Sequence, residues 1–479
     1  MTFFAAMLLA ATFTRPMERV STMDPAAARS IYDSHAIGLV YETPLAVDYR
    51  ARPYRLVPGY CELPETSADG LVYRFKARRG PAEDMVRSLE RLRDPKAVSP
   101  NGWILKDVTT IRAADASTVE ICLRRPVSYF PWLMAMGATS VVRADGTGTG
   151  PYVLKSWRKN HEMVFSLKPE ERAAHPKGFD EIRYVVVDDM STQWLMFLRG
   201  EIDFLGEVSR DSWDAILDAD GRLSPELMAR GVALQTIPTL DSMYIGINMK
   251  DPVLGPNRKL RQALNAGFDY PAWKRFCNNR ILPSGGPVPA GVDGSLPAET
   301  FPYRFDLEKA KRLMSEAGYP NGIDPRTGRR LTLTLAIGRA SQESREAGEL
   351  TVAFYAKLGI RLELAFYTWD AFLKAVNEGR VQLFRMGWVG DYPDAQNFLQ
   401  LFHSSNVNPG ANHANYVNPE FDAAYDHEDW RRCQEIVRED CPWVFTHVNV
   451  ANSLVGPRVG NYVPSVFADG NEKYYEVRP

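Results

Sequence analysis

Apolar and polar positions alternate from Leu331 to Ile337, the two-residue period of a strand with one buried face. From Ser341 to Leu358 the spacing becomes helical, with Ala347, Leu350, Phe354 and Leu358 on one side, and Gly359 stops the run. Alternation resumes at Ile360, Leu362, Leu364 and Phe366. A second helix is predicted from Trp369 to Glu378, with Phe372, Leu373 and Val376 on its apolar face, and a third strand from Val381 to Trp388. This β-α-β-α-β series predicts a parallel sheet with helices on its faces. Ligands of such sheets lie beyond the carboxyl ends of the strands, which directs attention to Gly390, Asp391 and Tyr392. Upstream, Asp306 to Ala317 reads as a helix closed by Gly318 and Pro320.

The N-terminal third is patterned in shorter pieces. Leu71–Phe75 and Thr118–Leu123 read as strands and Ala82–Arg91 as a helix, while Ser191–Arg199 reads as a helix that turns into a strand at Gly200–Asp203. At 479 residues the chain exceeds what one core supports, so two or three domains are expected. Lys and Arg number 57 against 59 Asp and Glu; this balance supplies no field for a polyanion, and nucleic acid is not an expected partner. The five cysteines, Cys61, Cys122, Cys277, Cys433 and Cys441, form no C-x-x-C pair and read as scattered buried thiols; a Cys433–Cys441 bridge is the alternative. The apolar run Met1–Thr14 lacks preceding basic residues and is too short to span a membrane. It reads either as a signal remnant with a truncated start or as a first buried strand, and no cysteine near it suits lipid attachment.

Enzyme signatures are weak. Ser156–Lys159 satisfies S-x-x-K, but it sits in a strand pattern and has no S-D-N or K-T-G companion. G-x-S-x-G and H-E-x-x-H are absent, and the glycines from Gly146 to Gly150 lead into a strand, not a phosphate-cradling helix. His403, His413 and His427 lack metal-ligand spacing, so neither metal nor cofactor is expected.

Several phrases carry a resemblance in their order and spacing. They are Thr22-Met-Asp-Pro25, the segment Ala82 to Leu92, Gly148 to Trp157, Leu198 to Asp203, Tyr244-Ile-Gly-Ile-Asn248 with Lys259 to Leu264, Gly285-Gly-Pro287, Gly387-Trp-Val-Gly-Asp-Tyr-Pro-Asp-Ala-Gln-Asn-Phe-Leu399 and Tyr416 to Asp422. Together they resemble the family 5 extracellular solute-binding proteins, the oligopeptide and dipeptide binders of ABC importers. The resemblance implies an α/β, periplasmic-binding-protein-like fold with two α/β lobes, a hinge and a small inserted domain. Residues 1–45, 144–240 and 453–479 would form the first lobe, 46–143 the insert and 241–452 the second lobe. The chain is shorter than the family pattern after Gly80, over 143–148 and at 425–430, so the insert and the final crossing are expected to be trimmed.

The same resemblance implies a function. The protein would be a non-enzymatic, monomeric substrate-binding component, periplasmic or extracellular, that captures short peptides by hinge closure and delivers them to permease and ATPase subunits. A ligand set follows by position: Asp391 for the peptide ammonium, Arg385 for its carboxylate, Trp388 and Trp369 as pocket walls, with Gly387, Val389, Tyr244, Asn248 and Asp33 on ligand-facing segments. Glu343 stands where some relatives carry a His that assists with the carboxylate. Asp241 and Val389 occupy the positions of a disulfide found in one relative. The alternatives are a family member that carries a nickel chelate, haem or an oligosaccharide, or a receptor that keeps the fold without the transport role.

Overall fold

The computed structural model describes residues 10–478 apart from 97–98, 207–212, 218–221, 409 and 468. Most of the apolar run at the N-terminus therefore lies outside the described residues; its last part, Thr12–Thr14, opens a strand. The chain divides into two compact units, Met1–Ile237 with Ala451–Pro479, and Pro238–Val450.

In the first unit, strands Thr12–Pro16, Glu181–Val185, Glu162–Leu167 and Tyr152–Arg158 form a sheet in that order, the first pair parallel and the rest antiparallel. Alternation sets its faces. Phe13, Phe165, Ile182 and Tyr184 are buried, whereas Arg183 points outward to Glu162 at 2.8 Å. The core is closed from the far end of the chain by Val459 and Tyr475, and Arg15 reaches the buried Glu472 at 2.6 Å. A second sheet orders Glu65–Thr66, Val72–Lys76, Thr118–Leu123 and Val108–Ala113. The helix Ala82–Arg93 lays Met85, Leu89 and Leu92 against it. Ser156 lies mid-strand in Tyr152–Arg158, the context that argues against S-x-x-K chemistry.

In the second unit the sheet runs Trp443–Val455, Asp241–Ile247, Leu383–Val389, Thr332–Ile337, Arg361–Phe366, with Ile281–Pro283 added to the outer side of the first. The three strands read from the alternating pattern are parallel to one another. Asp241–Ile247 is antiparallel to both its neighbours, so the sheet is mixed. Helices Gln342–Ala356 and Trp369–Asn377 connect the parallel strands. The first is capped by Ser341, whose hydroxyl accepts from Ser344 N at 3.2 Å, and the Leu307–Glu316 helix by Asp306, which accepts from Lys309 N at 2.9 Å; such caps contribute about 1 kcal/mol each. Residues 443–450 of the long strand belong to this unit and 451–455 to the first.

Two local expectations need adjustment. The strand expected at Gly200–Asp203 is instead Phe204–Leu205, because Gly200 takes a left-handed φ of 72° to end the helix and Asp203 is used in binding Thr14 N through its carboxylate at 2.8 Å. All five cysteines stay unbridged, Cys433 and Cys441 included.

Candidate functional site

The parallel strands bring their carboxyl ends together. Ile337 lies level with Phe366 on one side and Arg385 on the other, so Gly338, Trp369 and the segment Met386–Asp391 all emerge past the same edge. Trp369 begins its helix, is 54% exposed and stacks against Phe372. Gly338 permits this: a Cβ there would sit 2.9 Å from the Trp369 ring. Val389 is 71% exposed, Trp388 and Gly387 are half-buried, and Arg385 is half-buried on the same strand.

Beyond the strand, the chain turns at Gly390, whose N–H donates to Leu240 O at 2.7 Å. Asp391 follows with its side chain exposed. Desolvation nevertheless raises its pKa above the usual carboxylate value, while a hydrogen bond from Asn397 pulls the other way. Asn397 is fully buried. Its Oδ1 accepts from Trp388 Nε1 at 2.9 Å and from Asp391 N at 3.2 Å, and its Nδ2 donates to Asp391 Oδ2 at 3.3 Å. Asp394 caps the short helix Ala395–Leu399 that carries it, accepting from Gln396 N at 2.8 Å.

The Arg385 guanidinium lies 4.8 Å over the Trp273 ring. Among the described residues it has no ion pair, and burial lowers its pKa. Trp273 Nε1 donates to His447 Nδ1 at 3.2 Å. His447 in turn is hydrogen-bonded to the Asn449 side chain; burial, together with the nearby Arg385, drops its pKa to about 3. The imidazole is thus neutral, with Nδ1 as the acceptor. Asn449 is gripped by Asp241. Arg385 is a cation held on an aromatic face, acted on by the charge of Glu343 but ion-paired to no carboxylate among the described residues, an arrangement suited to a carboxylate brought from outside.

The remaining expected residues are placed differently. Tyr244 is in the core, its ring stacked on Trp443 with centroids 3.4 Å apart. Asn248 is buried and donates to Gly379 O and Val381 O at 3.1 and 3.0 Å. Asp33 belongs to the first unit, where its buried carboxylate accepts from Ser21 N at 2.6 Å, Ser21 Oγ at 2.9 Å and Arg29 N at 3.1 Å and is held below its usual pKa by these bonds despite desolvation. These side chains organise backbone and core. Asn397, Trp273 and His447, by contrast, were not singled out by sequence; Asn397 alone carried a signal, its place inside the Gly387–Leu399 phrase. A cavity of about 470 Å3 beside Tyr49 and Tyr474, and one of about 540 Å3 walled by Phe268, Phe301 and Phe445, contain none of these groups.

Comparison with known proteins gives the setting. Residues 55–410 match the family described as bacterial extracellular solute-binding proteins, family 5. Heme-binding protein A of Haemophilus influenzae is 26% identical, the alignment covering 90% of this chain and 85% of that protein. Di/tripeptide-binding protein 2 of Pseudomonas aeruginosa is 24% identical over 81% of this chain and 80% of its own. Among solved structures, the periplasmic murein tripeptide-binding protein MppA in its unliganded open form superposes with a TM-score of 0.82 at 21% identity, covering 98% of this chain and 97% of that one. That likeness shows the fold, the two-lobed α/β architecture of periplasmic binding proteins.

Proposed function

The chain belongs to the family 5 bacterial extracellular solute-binding proteins, and from that membership we propose that it is the peptide-capturing component of an ABC-type importer. The family consists of solute-binding proteins rather than enzymes. The observation that carries the reading is the pairing, on one run of chain, of an exposed carboxylate at Asp391 with a guanidinium at Arg385 that forms no ion pair among the described residues. Every unmodified short peptide presents the complement, an ammonium and a carboxylate at opposite ends. Six residues of fully extended chain span at most about 20 Å, so the two charges suit a peptide of no more than about six residues.

Trp388 and Trp369, with the exposed Val389 and the backbone at Gly387, supply loose apolar walls for side chains. Tyr244 in the core and Asn248 at the far end of the sheet secure the strand that carries Arg385 and Trp388, while Asp33 holds the Ser21 loop of the first unit. Residues 46–143, with a sheet of their own, correspond to the small insert within the first lobe, and residues 241–452 to the second. The chain passes between the units at 237–238 and at 450–451, two crossings suited to a hinge that closes the lobes on ligand. The protein acts as a periplasmic or extracellular monomer and delivers its cargo to permease and ATPase subunits.

The test is to denature protein purified from its native host and identify the released small molecules by mass spectrometry, then titrate the refolded protein with di- to hexapeptides. Peptides in the released fraction and binding by titration are expected. Recovery of haem, a metal chelate or a sugar with no peptide binding would overturn the proposal.

A further inference from the structure

The Asn397 carboxamide is fully buried and makes three bonds, all to the two residues that face the ligand in the reading above. Its orientation is forced. Trp388 Nε1 and Asp391 N are obligate donors, so both lone pairs of Oδ1 must face them. That leaves Nδ2 aimed at Asp391 Oδ2. No other common side chain of this length combines a two-site acceptor with a donor in one plane: Asp would set a carboxylate against a carboxylate, and Leu would leave the indole N–H without a partner.

We propose that Asn397 is the positioning residue of the amine subsite, fixing the Asp391 carboxylate and the Trp388 indole as one unit so that a ligand's ammonium and its first side chain are read together. The inference rests on the reading of Asp391 as the amine partner. Asn397 itself is buried away from ligand and acts through the other two. With one carboxylate oxygen tied to Nδ2, the other stays available, and the rotation of the acid is fixed before ligand arrives. Asn397 also decides how easily Asp391 takes a proton. Among the described residues no charged group adds to the environment of Asp391 beyond that hydrogen bond, which is what favours its ionised form against desolvation.

The experiment is calorimetric titration of a tripeptide, with free and with acetylated N-terminus, between pH 4 and 8 against the parent protein, Asn397→Leu, Trp388→Phe and Asp391→Asn. Asn397→Leu is expected to weaken the free-amine peptide about tenfold, the scale of a lost hydrogen bond to a charged group, while the acetylated peptide changes much less. In that variant the acid-side loss of free-amine binding moves to higher pH, because the carboxylate has lost its donor. Trp388→Phe removes the indole N–H and leaves the Asn397–Asp391 bond, so it lowers affinity without moving the acid-side midpoint. Asn397→Ser, smaller and still polar, gives the same readout if the Leu variant does not fold. Equal weakening of both peptides with an unmoved midpoint would show that Asn397 only closes the loop. If Asp391→Asn is amine-specific while Asn397→Leu is not, this inference alone fails; if Asp391→Asn itself shows no preference for the free amine, the reading of the site has failed.

Discussion

Asp241 holds Asn449 with both carboxylate oxygens, one 2.9 Å from the backbone N and the other 2.6 Å from Nδ2. Asn449 is hydrogen-bonded to His447, His447 accepts the Trp273 indole N–H, and the face of Trp273 carries Arg385. A buried acid at the start of one strand therefore sets the seat of the cation on the strand paired with it.

Asp241 also faces Val389 across the sheet, as a direct register partner. Facing residues of antiparallel strands have Cα atoms about 4.5–5.5 Å apart, inside the range a disulfide spans. The double variant Asp241→Cys, Val389→Cys is expected to crosslink on oxidation, giving an intact mass 2 Da lower than its reduced form. Closing a loop of this size adds about 4–5 kcal/mol, and losing the Asp241 bonds removes about 2 kcal/mol, so urea unfolding should show a net gain when oxidised and a loss when reduced. No crosslink under mild oxidation would contradict the register.

Asp391→Asn keeps the shape of the side chain and removes its charge. Breaking one member of a desolvated charge pair costs about 2–5 kcal/mol, and the exposed Asp391 belongs at the lower end of that range. A double cycle with free and acetylated peptide isolates the coupling, and a value below about 0.5 kcal/mol would remove Asp391 from amine recognition.

Protonation of Asp391 makes a separate prediction. Its folded pKa is raised, chiefly by desolvation, so the fold favours the protonated form. Without ligand, the carboxylate therefore costs stability at pH values above its unfolded pKa of about 3.9. Asp391→Asn is expected to leave the unliganded protein at pH 7 as stable as the parent or slightly more so. Ligand binding runs the opposite way: free-amine affinity falls as pH drops through the raised pKa, at a higher pH than an ordinary Asp would give. Melting curves with and without peptide over pH 4–7 measure both effects.

His447 links acid to stability through a different sign. The unfolded chain takes up a proton near pH 6.5, while the folded pKa of about 3 keeps the buried ring neutral. Stability contributed by this group is intact above about pH 6.5 and is lost as pH falls, by about 2 kcal/mol at pH 5. In His447→Gln the overall stability is lower, but the difference between pH 7 and pH 5 in urea unfolding shrinks by that amount. An unchanged difference would mean that the ring is not the group responsible.

The second unit was legible in sequence because its connections are local. Each strand from Thr332 to Val389 follows a helix with a clear apolar face, and the observed limits, Thr332–Ile337, Gln342–Ala356, Arg361–Phe366, Trp369–Asn377 and Leu383–Val389, differ from the expected ones by a residue or two. What the pattern could not supply was pairing at long range: the antiparallel insertion of Asp241–Ile247 beside Leu383–Val389 joins segments well over a hundred residues apart. The site divides in the same way. Trp369, Arg385, Trp388 and Asp391 were reachable from strand order and from the family phrase. Asn397 lies within the family phrase, but its role, like the places of Trp273 and His447, becomes visible through hydrogen bonds and a ring contact, which leave no periodicity, and the commitment of Asp33 to the Ser21 loop has no signature in spacing.

The ion pair between Arg15 and Glu472 joins residues 457 positions apart and sits in a core built from both ends of the chain. Synthesis proceeds at about 5–20 residues per second, so the first unit waits on the order of half a minute or more for its last pieces after its first strand has left the ribosome. The second unit is one contiguous stretch, Pro238–Val450, so the pairing of Asp241–Ile247 with Leu383–Val389 waits on neither of the two segments that make up the first. The topology thus constrains assembly: the second unit can form from one stretch of chain, whereas the core of the first cannot close until the segment from Ala451 onward has joined Phe13 and its neighbours.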